Sequence, residues 1–386
     1  MGFVMGETFT DQPVGEIDDA DALDPEILGF MCGIEVHQQL ATGKLHSRQS
    51  GELFDVTIDT VPQDWPRYDR RLRAGRGEGG KIDIAARFEA RRNRSFTYVK
   101  SPNAGLIELD DQPPLPHDQN AIDISLTVSA LLQAKPVSLI QTMRKTVVDG
   151  SNTSGFQRTS LISTDGILKT KGGPVGIDLL CLEEDSARKL DTIMAKNGEN
   201  VIYNLDRLGL PLIEIATAPD IKSPEHAKQT SIALGRVLRQ TRRVRRGLGS
   251  IRQDLNVSLM CGDRVEIKGC QDLSWIPRII SIEMARQLHF YRLANELRSS
   301  MNLPLLSPDR RTTDTATESQ VAEAVAQLLP LNLQDVTNCF AQCTSKMVVD
   351  GLSKGSIMLA LPLANLAGKI GTKQMDKRTS FKLNYN

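Results

Sequence analysis

The chain has 386 residues, 40% of them hydrophobic and 24% charged, with 47 basic and 47 acidic side chains in balance. That length supports two or three domains with sizeable cores, and the zero net charge means that any affinity for nucleic acid must come from a local basic cluster. No apolar run approaches the roughly 18 residues of a membrane span, and the acidic N-terminus lacks the basic start of a secretory signal.

Residues 1–30 carry eight acidic side chains and no basic one, which reads as a flexible leader. "GIEVHQQL" (33–40) follows as a strand. Its alternation puts Glu35 and His37 on one face, Ile34 and Val36 on the other. An acid beside an imidazole fits metal coordination or proton transfer, and equally the solvated face of an amphipathic strand. The arginine-rich stretch 66–94 reads as loops and one helix. Its "GRGEGG" lacks the preceding apolar strand that a dinucleotide fingerprint needs.

Residues 118–136 have helical spacing, with Asp118 as N-cap and Pro136 beyond the end. "SLIQTMRKTVV" (138–148) reads as a strand that enters the polar loop "DGSNTSGFQRTS" (149–160). Residues 159–185 predict antiparallel strands joined at Asp165-Gly166 and Gly172-Gly173, and 201–219 predict two more. Ser223 and Pro224 open a helix that runs to about Thr241. A hairpin over 248–270 turns at Gly262-Asp263, and a long helix covers 277–300. Strands dominate up to about residue 275 without regular βα alternation, so the expected class is α+β, with a mainly antiparallel sheet and covering helices.

Several of these strands carry a carboxylate inside an apolar run: Glu35, the pair Glu183 and Glu184 in "LLCLEED", Glu214 in "LPLIEIAT" and Asp254 in "IRQDLNV". A buried carboxylate is normally paired or bound to metal. One such residue is a salt bridge; several beside a histidine point to a divalent cation, and oxygen-rich ligands suit Mg²⁺ or Mn²⁺. Alternation lets only one of Glu183 and Glu184 join the site, and Glu184 is chosen. Cations for phosphate groups are offered by Arg144, Lys145, Arg158, Arg207 and Lys268, each of which taken singly reads as a surface charge. "GRVLRQTRRVRRGLGSIR" (235–252) holds seven arginines and no acid. It suits a phosphate backbone, or a solvated helix end favoured by the helix dipole. The six cysteines are scattered without a CxxC pair and read as reduced thiols of a cytoplasmic protein.

Taken in order, "GIEVHQQL", "MRKTVVDGSNTSGFQRTSL", "CLEED", "NLDRLGLPLIEIATAPD", "VRRGLGSIRQDLNVS" and "VEIKGCQDL" closely resemble the E-subunit family of archaeal-type glutamyl-tRNA(Gln) amidotransferases (GatE), and more distantly its bacterial-type counterpart (GatB), over about residues 31–370. The resemblance implies a glutamine synthetase-like catalytic cradle over 31–275, a helical extension over 276–345 and the start of an insertion domain over 346–386. It implies a ligase that forms a carbon–nitrogen bond: ATP and Mg²⁺ phosphorylate the γ-carboxylate of Glu-tRNA(Gln). Ammonia from an asparaginase-like partner, the D subunit of a D2E2 assembly, then gives Gln-tRNA(Gln). The implied metal ligands are Glu35, His37, Glu184, Glu214 and Asp254. Glu184, Arg207 and Lys268 take catalytic roles, and Arg144, Lys145, Ser154, Gln157 and Arg158 hold the nucleotide.

The sequence departs from the family at Ser47, where members often have cysteine, in the additional leader, and in stopping just after "LAGKIGTKQMD". That early end is expected to leave a truncated chain with weak tRNA selection. A non-catalytic RNA-binding or scaffold remnant is the alternative.

Overall fold

The computed structural model describes residues 23–71, 80–82, 84–92, 94–195, 198–330, 332–363 and 366. Most of the acidic leader, most of "GRGEGG" and the last twenty residues lie outside these. The chain divides into two compact units, Met31–Val257 with Val265–Pro277, and Met1–Phe30 with Ser258–Arg264 and Arg278–Asn386.

In chain order the first of these units contains β1 (Met31–Gln39), β2 (Arg67–Arg70), α1 (Ile84–Arg91), β3 (Ser95–Val99), α2 (Gln119–Leu131), β4 (Lys135–Pro136), β5 (Thr142–Thr146) and β6 (Phe156–Thr170). It continues with β7 (Gly173–Glu184), β8 (Arg188–Ala195), β9 (Gly198–Asn204), β10 (Pro211–Thr217), α3 (Pro224–Gln240), β11 (Ile251–Ser258) and β12 (Val265–Ile267). An eight-stranded sheet has the order β12-β11-β1-β10-β7-β6-β4, with β5 also paired to β6. The class is therefore α+β with mostly antiparallel sheets.

Sheet position follows from side-chain alternation. On β1, β10 and β7 the residues Ile34, Val36, Ile213, Ile215, Leu180 and Leu182 are all at most 1% exposed, and antiparallel register sets Val36 opposite Ile215 and Ile213 opposite Leu182. Helices α2 and α3 pack on β6, β7 and β1 and touch each other, so they cover one face of the sheet. Asp118 caps α2 by accepting from Ala121 N–H, and Ser223 caps α3 by accepting from His226 N–H, with Pro224 at the first turn. A second sheet, β2-β3-β9-β8, contains the parallel pair β3 and β9. Its core stacks Tyr98 on Tyr203, with Phe96, Leu205 and Leu208 in the same cluster.

Two expectations are corrected. No turn forms at Asp165-Gly166: β6 runs straight through it and the hairpin closes only between Thr170 and Gly173. Asp165 takes a left-handed φ of +52° inside the strand, and a Cβ at Gly166 would lie 3.1 Å from the Leu132 carbonyl oxygen. Glycine therefore marks a close backbone approach there and not a turn. The arginine-rich stretch, read as loops and one helix, also contributes the strand β2, paired antiparallel with β3.

The second unit holds most of α4 (Ile276–Ser300), followed by α5 (Glu318–Leu328), the short pair β13 (Gln334–Asp335) and β14 (Leu359–Ala360), and between them α6 (Lys346–Ser353). Thr317 and Gln320 form a reciprocal capping box at the start of α5. Among the described residues no helix is long and apolar enough to cross a membrane.

Candidate metal centre and active site

The face of the large sheet opposite the helices carries the acids. His37 on β1 lies directly opposite Glu214 on β10, and Glu35 is two residues along the same strand, so all three share a face. His37 Nε2 stands 3.5 Å from Glu35 Oε1, 3.6 Å from Glu214 Oε2 and 3.7 Å from Glu183 Oε2. One ligand atom from each of Glu35, His37 and Glu214 fits within 4.8 Å of the others. Lys145 on β5 reaches in to 3.6 Å from Glu183 and 3.9 Å from Glu214.

Glu183 is held by its neighbours on β6: Thr159 Oγ1 donates to it at 2.9 Å and Gln157 Nε2 at 3.1 Å. A cavity of about 330 Å³ opens here, lined by His37, Gln157, Glu183, Arg252, Asp254 and Lys268 among others. Lys268 Nζ sits 3.1 Å from Asp254 and 2.7 Å from Glu266.

Three carboxylates this close cannot all ionise freely. Burial, then the hydrogen bond and charge of Glu214, push Glu183 up to about 7. Burial would raise Glu214 as well, but hydrogen bonds from His37 and Glu183 and the charge of Lys145 hold it down to about 2. The two acids thus hold a proton between them. Burial works against charge on His37, and the surrounding glutamates outweigh it and raise its pKa. Burial and then Glu214 raise Glu35. A donor set of hard oxygens with one imidazole, carrying excess negative charge, fits a divalent cation of the Mg²⁺ or Mn²⁺ type.

The sequence-predicted residues divide between the two sheet faces. Glu35, His37, Glu214 and Asp254 come to the open face, and so does Glu183, in the position expected for Glu184. Glu184 points to the covered face, where it is 4% exposed and receives Arg158 Nη1 at 3.0 and 3.1 Å. Alternation dictates the exchange: Glu184 has the parity of Leu180 and Leu182, whereas Glu183 has the parity of Gln157 and Thr159.

The five residues expected to hold nucleotide divide in the same way. Lys145 and Gln157 join the acidic cluster, whereas Arg144 and Arg158 flank the Phe156 ring at 5.1 and 5.3 Å. Those two arginines line a separate cavity of about 880 Å³ with His46, His117 and Thr142. Ser154 donates to the Phe156 carbonyl and serves the turn. Arg207 donates to the carbonyls of Ser186 and Ala187, with Asp185 3.5 Å away.

Sequence reasoning missed Asp185, which is 1% exposed and accepts from Gln39 Nε2 at 2.7 Å and Arg252 at 3.1 Å. It also missed Arg188, paired with the fully buried Asp206 at 2.5 Å. The only signal for Asp185 was a third acid at a strand end, and none marked Arg188.

The model of the GatB/GatE catalytic domain matches residues 30–329. Over 347 residues, 90% of this chain and 50% of the relative, the chain is 42% identical to the E subunit of glutamyl-tRNA(Gln) amidotransferase from Pyrococcus furiosus. The E subunit from Methanocaldococcus jannaschii is 40% identical over 351 residues, 90% of this chain and 50% of the relative. That from Methanosarcina acetivorans is 42% identical over 335 residues, 86% of this chain and 48% of the relative. The chain spans about half the length of the curated relatives it matches. It belongs to the GatB/GatE catalytic domain family.

Proposed function

We propose that this chain carries the ligase site of a tRNA-dependent amidotransferase: with ATP and Mg²⁺ the γ-carboxylate of Glu-tRNA(Gln) is phosphorylated, and ammonia then displaces phosphate to give Gln-tRNA(Gln). The observation that carries the reading is the Glu35, His37, Glu183 and Glu214 cluster, with Lys145 over it, in a member of this family. The proposal extends to a glutamine synthetase-like cradle, to ammonia supplied by the asparaginase-like D subunit of a D2E2 assembly, and to a cytoplasmic location.

The four clustered side chains would hold the cation, with Asp254 on the cavity wall. A bound Mg²⁺ would supply neutralisation of phosphate charge at this face. Arg252 and Lys268 on the cavity wall, and Lys145 beside Glu183, offer positive charge to the transferring phosphoryl group. Glu183, poised near neutrality, takes up or releases a proton as ligands enter. In balance, the substrate carboxylate oxygen forms a bond to the γ-phosphorus as ADP leaves; ammonia then attacks the acyl carbon and phosphate departs with the bonding electrons.

Conversion of Glu-tRNA(Gln) to Gln-tRNA(Gln) with ammonium chloride as nitrogen source tests the ligase site without an ammonia-supplying partner. We expect ATP- and Mg²⁺-dependent turnover that Glu214→Gln and Glu183→Gln lower at least a hundredfold, roughly the loss of a phosphate-neutralising metal. Wild-type turnover that persists in both variants would overturn the assignment.

A further inference from the structure

Asp185 stands just past the end of β7, and its carboxylate is buried yet fully engaged. Oδ2 accepts from Gln39 Nε2 at 2.7 Å, with Arg207 Nε 3.5 Å away. Oδ1 accepts from Ser186 N–H at 2.9 Å and from Arg252 Nη2 at 3.1 Å. The main chain is pinned as well. Asp185 N–H donates to the Leu210 carbonyl at 2.7 Å, and the Asp185 carbonyl accepts from Gly209 N–H at 3.0 Å. The carboxylate is therefore a fixed point before any ligand arrives.

Arg252 is the opposite kind of residue. Its side chain is 46% exposed, and among the described residues the bond to Asp185 is the only one its guanidinium makes. In the sheet β11 and β7 are separated by β1 and β10, so this bond bridges two intervening strands. Alternation places Arg252 on the face of Asp254, two residues along β11. Both line the cavity of about 330 Å³, together with His37, Glu183 and Asp185. A long arginine tied at its far end stays near that end; untied, it spreads over many rotamers and into solvent.

The tie leaves the group usable. A guanidinium has five N–H donors in a rigid fork, and Asp185 engages only Nη2 of Arg252, which leaves Nη1 and Nε for the oxygens of a phosphoryl group. The positive charge is not cancelled either, because Arg207 and Arg252 share the one carboxylate.

We propose that Asp185 is a positioning residue for phosphoryl transfer: it aims the Arg252 guanidinium into the acidic cavity, where charge develops on the transferring group. The proposal rests on the ligase reading above, which gives Arg252 a phosphoryl group to meet. Asp185 acts through Arg252 and not on the reacting atoms. Donors fixed in advance stabilise a transition state without reorganising during the reaction. Releasing them lowers turnover more than it weakens substrate binding.

The test uses the full chain in the ammonium chloride assay, with Asp185→Asn, Arg252→Gln and the double variant. Asp185→Asn is expected to lower kcat about 10–100-fold, with KM for ATP within about threefold of the wild type. In the Arg252→Gln background the same change is expected to cost less than about threefold, because the group that Asp185 aims is already gone. A residue that only supports the fold would cost the same in both backgrounds, and that result would overturn the proposal. A loss confined to KM would overturn it too. Should Asp185→Asn fail to fold, the wild type decides. In ¹⁵N spectra of arginine-labelled protein, with Arg252 assigned by its absence from Arg252→Gln, its guanidinium is expected to show hindered rotation. Free rotation there would overturn the proposal. A wild type that turns nothing over while this guanidinium is held would overturn the ligase reading and leave Asp185 as the anchor of Arg252.

Discussion

Glu183 and Glu184 are adjacent, both buried, and expected to respond in opposite directions to the same substitution. Glu183 is wholly buried and rises from 4.5 to about 7, mainly through burial and then through Glu214. That rise corresponds to about 3 kcal/mol against the ionised form. Because the folded value lies above the unfolded one, the native state holds this proton more tightly. The stability it confers is present below the unfolded value of 4.5 and is lost as pH rises through about 7. Glu183→Gln removes the penalty and is expected to stabilise the metal-free protein by about 1–3 kcal/mol near pH 8, with the gain vanishing near pH 5. Glu184→Gln leaves Arg158, only 12% exposed, without its partner. Breaking a buried pair on one side costs about 3–5 kcal/mol, a fall in melting temperature on the order of 10 °C for a domain of this size. Denaturant melts in EDTA at both pH values measure this directly. Equal destabilisation by both variants at both pH values would refute the assignment of the two carboxylates to opposite faces.

A cation that binds the cluster must displace the Glu183 proton, so Mn²⁺ affinity should fall about tenfold between about pH 8 and 6, with proton release visible by calorimetry in two buffers. Flat affinity would exclude Glu183 as a ligand. Gly51→Ala forces a methyl group against the Thr42 carbonyl and Arg245, and a loss of about 2 kcal/mol or more in urea melts is expected. Asp185→Asn weakens the anchors of Gln39, Arg207 and Arg252 together. The expected loss is about 1–3 kcal/mol, measured as a lower denaturant midpoint.

Much of this arrangement could be read from the sequence because alternation was clean. In β1 the apolar Ile34 and Val36 separate Glu35 from His37, and in β10 Ile213 and Ile215 flank Glu214, so one face of each strand is unambiguous. The helix α3 announced itself through Ser223 and Pro224. The failure at Glu183 and Glu184 has an equally local cause. Leu179, Leu180, Cys181 and Leu182 are all apolar, so the run carries no parity and either glutamate fits either face. Tertiary context decided it, through the pairing of Thr159 with Glu183 and of Arg158 with Glu184. The residues expected to hold nucleotide are split between the two faces for the same reason, since Arg144 and Lys145 are neighbours in sequence and point to opposite faces. A cavity of about 390 Å³ lined by Arg188, Arg207, Arg245 and Arg246 was half legible. The run 235–252 was visible, but its meeting with Arg188 and Arg207 depends on segments far apart in the chain.

The persistence of so strained a cluster follows from what holds the register. A one-residue slip of β7 against β10 would carry Glu183 off the acidic face and relieve the repulsion from Glu214, which is only part of the roughly 3 kcal/mol that burial and Glu214 together set against its ionised form. It would also turn Leu180 and Leu182 out from beneath the helices and misalign them with Ile213 and Ile215, all four at most 1% exposed. Exposing a buried aliphatic side chain costs about 1.5–3 kcal/mol each, so the two leucines alone match or exceed the repulsion, and the broken fit to the isoleucines adds to the cost. Lys145 further reduces the gain from slipping, because it offsets negative charge only while Glu183 and Glu214 stay beneath it. The apolar face thus fixes the register, and the acidic face accepts the repulsion that this register imposes. A divalent cation is the ligand that removes that repulsion without moving a strand.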